Sequence, residues 1–118
     1  MRVVKQPSTC NPGFLLRKPP QVMIVSALNI PAGGWVCDSN TCSNSKQRVN
    51  LTAAVMHKDS GRDISFPVRT LTFLDSTTAE FNFHVSMDAL RLFVRFVLYY
   101  PSCSDQIAKL IVDTTQFS

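Results

Sequence analysis

Ser86-Met-Asp-Ala-Leu-Arg-Leu-Phe-Val-Arg-Phe-Val-Leu-Tyr-Tyr100 is the stretch whose period decides the fold of this chain. With a helical period, Leu90, Phe93, Val94, Val97 and Leu98 form one apolar stripe, Ser86 stands at a capping position and Asp88 lies near the positive helix end. With a period of two, Leu90, Leu92, Val94, Phe96 and Leu98 align equally well. The length of the segment and the stop at Pro101 favour the helix. Ser104-Asp105 then opens a second helix to Gln116, with Ile107, Leu110 and Ile111 at i, i+3, i+4 spacing and Lys109 outward.

Upstream, the pattern is that of strands. In Ala79-Glu-Phe-Asn-Phe-His-Val85, Phe81, Phe83 and Val85 share one face, and Glu80, Asn82 and His84 the other. In Arg48–Met56, Val49, Leu51, Ala53 and Val55 alternate with Arg48, Asn50, Thr52, Ala54 and Met56. Phe66–Phe73 reads as a strand, and Asp75-Ser-Thr-Thr78 either turns the chain or bulges one long strand. Val22–Leu28 is apolar on both faces, which suggests a strand covered on both sides or a subunit contact. Residues 2–18 read as a hairpin, with arms Arg2–Lys5 and Phe14–Arg17 around Pro7-Ser-Thr-Cys-Asn-Pro-Gly13. The expected fold is therefore α+β: a hairpin over 2–18, an antiparallel sheet with one exposed face over 21–85, and two helices over 86–116.

A chain of 118 residues with 45% apolar and 17% charged residues is long and apolar enough to build one core, so one folded domain is expected rather than a disordered or linker-joined chain. The net charge of +4 biases it toward anionic partners. No run of about 18 uncharged apolar residues exists to form a spanning helix, and Met1–Pro7 does not read as a secretory leader. The default reading of Cys10, Cys37, Cys42 and Cys103 is thus reduced thiols in an intracellular protein. Neither His57 nor His84 stands at ligand spacing from these cysteines, so no metal or other cofactor is expected. No nucleophile elbow, phosphate-binding glycine loop or carboxylate pair appears, so an enzyme with a small-molecule substrate is not expected.

The order of hairpin, antiparallel sheet and two terminal helices resembles the coat proteins of single-stranded RNA bacteriophages. The likeness is carried by Lys46-Gln-Arg-Val-Asn-Leu-Thr-Ala-Ala-Val55, the loop Lys58–Ser65, Pro67-Val-Arg-Thr, Glu80–Val85 and Ile107–Phe117. It implies a structural capsid protein of a virion assembled in the bacterial cytoplasm. In it, homodimers form by reciprocal helix packing, join into an icosahedral shell and bind genomic RNA on the exposed sheet face. On this reading Lys46, Arg48, Asn50, Thr52, Asn82 and His84 contact RNA. Phe81, Phe83, Leu90, Phe93, Val94, Val97, Ile107, Leu110 and Ile111 form the core and dimer contact.

A second resemblance is to the lipid- or protein-binding β-sandwiches of the synaptotagmin and phospholipase type, whose opening strand Arg17–Pro31 resembles. Asp59 and Asp63 lack the companions that hold calcium in that family. Trp35 is expected in the core or, alternatively, stacked on a base.

Overall fold

The computed structural model describes residues 1–8, 15–24, 34–45, 48–85, 91–104 and 106–117. The described residues contain ten strands and no helix: β1 (Arg2–Lys5), β2 (Gln21–Met23), β3 (Trp35–Asp38), β4 (Thr41–Asn44), β5 (Val49–His57), β6 (Asp63–Ile64), β7 (Arg69–Phe73), β8 (Thr78–Phe83), β9 (Leu92–Pro101) and β10 (Ile107–Asp113). They form a four-stranded sheet in the order β1-β2-β8-β7 and a six-stranded sheet in the order β10-β9-β5-β4-β3, with β6 on the flank of β5. All pairings are antiparallel. The two sheets stack as a sandwich on a shared core that includes Val22, Leu71, Phe81 and Phe83 from one sheet and Leu51, Val55, Val94, Phe96 and Leu98 from the other.

The α+β expectation is overturned: both segments read as helices are strands. Leu92–Pro101 lies between β5 and β10, with Leu51 opposite Leu98, Ala53 opposite Phe96 and Leu110 opposite Leu98 on its other side. Leu92, Val94, Phe96 and Leu98 are buried, whereas Phe93 and Val97, members of the supposed helical stripe, lie on the outer face and are half-buried. Valine and aromatic side chains suit a pleated surface flanked by partner strands, and those partners settle a period that the segment leaves ambiguous. Arg91 takes the left-handed conformation, with φ of 57°, just before β9 begins. Ser86–Leu90, including Leu90 of the proposed core, lies outside the described residues.

The single sheet expected over 21–85 is likewise divided between two. The N-terminal arm is a strand, but it pairs with Gln21–Met23, and Ser8 with Lys18 extends that ladder. Leu15 instead bridges to His84.

Of the two readings of Asp75–Thr78, the turn is correct. The Leu74 amide donates to the Thr78 carbonyl, and Asp75 Oδ1 accepts from the amides of Thr77 and Thr78, each at 2.8 Å. Those backbone donors, that of Thr77 foremost, hold the exposed carboxyl below its ordinary 3.8.

At the far end of the chain, Leu92 and Phe117 exchange backbone hydrogen bonds, and the Phe117 ring stands 6.0 Å from that of Phe83. Trp35 stacks on Phe73 of the opposite sheet at 3.9 Å, so it joins the inter-sheet packing.

Cys37 and Cys42 face one another across the β3–β4 hairpin, 4.0 Å apart at Cα, and are joined in a disulfide. This differs from the expectation of reduced thiols. The hairpin sets Cys37 directly opposite Cys42, a proximity that their spacing along the chain does not disclose. Cys103 is an exposed free thiol, and Cys10 lies outside the described residues.

Candidate functional site

The residues expected to contact RNA fall on opposite sides of the sandwich. Asn50 and Thr52 occupy the outer face of the six-stranded sheet, beside Ser43 and Thr41 of β4 and Tyr99 and Val97 of β9. Arg48 is exposed at the start of β5, with φ of 54°. Asn82 and His84 lie on the outer side of the four-stranded sheet, next to the Leu15–Lys18 segment. Strand parity turns Asn50, Thr52, Asn82 and His84 away from the core. It carries no information about which sheet a strand joins, so a single surface combining Arg48 with His84 does not form. Lys46 lies outside the described residues.

Asn82 has internal work. Its Oδ1 accepts from the Leu16 amide at 3.1 Å and from its own neighbour Phe83 at 2.9 Å, while Nδ2 donates to the Leu16 carbonyl at 3.5 Å. In effect the side chain supplies rungs of a ladder that β2 is too short to provide. Glu80, one pleat away, accepts a hydrogen bond from Gln21 Nε2 at 2.8 Å, so it is engaged within the sheet.

Among the residues assigned to core and dimer contact, Phe81, Phe83 and Val94 are fully enclosed. Ile107, Leu110 and Ile111 are not: they sit on the edge strand β10, 80%, 41% and 50% exposed. Phe93 lies beneath two cations on the outer face, with Lys58 Nζ 6.0 Å and Arg95 Cζ 5.6 Å from its ring centre.

The concavity that best combines space with charge was not visible in the sequence. Where β1 and the chain before β2 separate, Lys5, Gln6, Leu16, Arg17, Lys18, Pro19, Gln21, Glu80 and Asn82 line a cleft of about 780 Å³. Its basic groups come from two segments that the β1–β2 pairing brings together: Lys5 from the end of β1, and Arg17 and Lys18 from the irregular segment before β2 that Asn82 ties down. All three cations are exposed, and Glu80 is the one acid on the wall. Most of the lining is polar, unlike the apolar lining of an enclosed small-molecule pocket. Such a trough attracts an extended anion through its cations. The one cue in the sequence is the pair Arg17-Lys18 beside Pro19-Pro20, whose side chains acquire a partner in Lys5 only through the fold.

Among the described residues, no three His, Cys, Asp or Glu side chains gather where they could hold a metal ion. No protein-family model, curated protein or solved structure matches the chain.

Proposed function

We propose that this chain is a non-catalytic β-sandwich binding module that holds single-stranded RNA in the Lys5–Arg17–Lys18 cleft. The observation that carries the reading is the convergence of three cations from two chain segments on one open trough of about 780 Å³. The proposal keeps the anionic partner implied by the coat-protein resemblance and moves the contact from Arg48, Asn50 and Thr52 to the other sheet. It does not retain the reciprocal helix packing of that resemblance, because the segments concerned are strands. Lys and Arg contacts of this kind neutralise phosphates and release counterions, giving affinity with little sequence preference. The alternative resemblance, to lipid- or protein-binding sandwiches, fits the architecture at the level of two stacked antiparallel sheets.

The test is fluorescence anisotropy with a labelled oligouridylate over a salt series. Three phosphate contacts predict a slope of log K against log salt of about −2, and replacing Lys5, Arg17 and Lys18 together by Ala brings it close to zero. Replacing Arg48 by Ala leaves the slope unchanged. A triple variant that binds with the wild-type slope refutes the cleft. If the probe does not bind but vesicles containing phosphatidylserine do, the lipid-binding alternative replaces the proposal.

A further inference from the structure

Among the described residues the end strands of the two sheets are β1, β7, β3 and β10, with the two-residue β6 beside β5, and three of these four end strands carry features that discourage pairing with another chain. β1 is short and its register shifts between Val3 and Lys5. The β3 edge is only four residues long and tied by the Cys37–Cys42 disulfide. On β7, the Leu71 amide is already donated to the Ser39 carbonyl. β10 is different: it runs seven residues in unbroken register with β9 and contains neither proline nor bulge.

Its backbone orientation follows from two bonds. Ser102 donates to the Gln106 carbonyl and Thr114 to the Val94 carbonyl, so the even-numbered residues of β10 direct their backbone groups at β9. By strand alternation, Ile107, Lys109, Ile111 and Asp113 direct their N–H and C=O groups outward. The next outward amide, Thr115, is taken by Gln6 Oε1 at 2.8 Å, which closes the free ladder at Asp113.

We propose that β10 pairs antiparallel with β10 of a second copy about a two-fold axis at Ile111, joining the two six-stranded sheets into one. The charge pattern selects this partner and this register. With Ile111 opposite its own copy, Lys109 of each chain stands opposite Asp113 of the other, and both residues belong to outward-directed, hydrogen-bonding positions. Asp113 is already held by Arg95, Nε to Oδ1 at 2.9 Å and Nη2 to Oδ2 at 3.2 Å, so each carboxylate would lie between two cations. On the other face, Leu110 meets Val112 of the second copy, covering side chains that the narrower four-stranded sheet leaves partly uncovered. Shifting the axis to Lys109 would place like charges directly opposite, which is unfavourable. The proposal does not rest on RNA binding: the cations of the cleft, Lys5, Arg17 and Lys18, lie beside the other sheet, and the two regions share only Gln6, which lines the cleft and accepts from Thr115 beyond the end of β10.

The experiment is sedimentation across a concentration series, with disulfide trapping to read the register. Residues opposite one another at a hydrogen-bonded antiparallel pair have Cα atoms about 5.5 Å apart, within disulfide reach. In a Cys103→Ser background, Ile111→Cys should give a covalent dimer under oxidising conditions and Lys109→Cys should not. Ile111→Pro removes an outward N–H without breaking the β9 ladder and should yield a folded monomer. Lys109→Glu, which leaves the backbone untouched, should weaken the dimer about tenfold as attraction turns to repulsion at two symmetric positions. A wild-type chain that stays monomeric at high micromolar concentration overturns the proposal. So does a dimer that Ile111→Pro and Lys109→Glu leave unchanged, or one that crosslinks through position 109 and not 111.

Discussion

Replacing Asn82 by Ala separates a structural from a ligand-contacting role for this residue. The side chain holds the Leu16 amide and carbonyl and the Phe83 amide, at 3.1, 3.5 and 2.9 Å. Two bonds of good geometry at about 0.5–1.5 kcal/mol each, in a partly buried setting, give an expected loss of about 1–3 kcal/mol. With a urea dependence of about 2 kcal/mol per molar for a domain of this size, the unfolding midpoint should fall by about 1 M. Asn82→Asp keeps the oxygen that accepts both amides and loses only the longest bond, so it should retain most of the stability. It also adds negative charge to the basic cleft and should therefore weaken oligouridylate binding. The assay is urea unfolding followed by tryptophan fluorescence, with Trp35 as the reporter, beside anisotropy on the same samples. An Asn82→Ala protein within about 0.3 kcal/mol of wild type would refute the argument, because the Leu16 segment would then be held by something else.

Two further perturbations bear on the fold. Phe93→Asp should cost about 1 kcal/mol, since the side chain is half exposed between Lys58 and Arg95, whereas Phe96→Asp buries a charge in the core and should cost about 4 kcal/mol or more. Thermal unfolding of both variants checks this, and the helical stripe would demand the reverse order. For Asp75, a carboxyl lowered in the folded state stabilises the fold above its unfolded value near 3.8, and that contribution is lost as pH falls through the folded value. The stability advantage of wild type over Asp75→Asn should therefore shrink below about pH 4. Parallel stability-against-pH curves for the two proteins would show that the turn hydrogen bonds do not depend on the charge.

The alternation in Val49–His57 and Thr78–Phe83 and the outward direction of Asn50, Thr52, Asn82 and His84 were legible in the sequence, because each is a local property of a pleated chain, whereas at Asp75–Thr78 the sequence left turn and bulge open and the pairing of β7 with β8 chose the turn. Leu92–Leu98 was not legible, since its apolar residues satisfy both periods; the choice came from β5 and β10, which flank it. Membership of a sheet is equally non-local. Nothing within Val49–His57 or Thr78–Phe83 says that they occupy different layers, yet that separation sends Asn50 and Asn82 to opposite surfaces. The basic cleft arises in the same way, from Lys5 meeting Arg17 and Lys18 across a pairing between segments distant along the chain. By itself the sequence determined which side chains of Val49–His57 and Thr78–Phe83 avoid water, because strand alternation acts over a few residues. Tertiary structure alone decided that the closing segments are strands and which polar residues share a surface, because hydrogen-bond partners and sheet stacking are chosen by contacts that no short window contains.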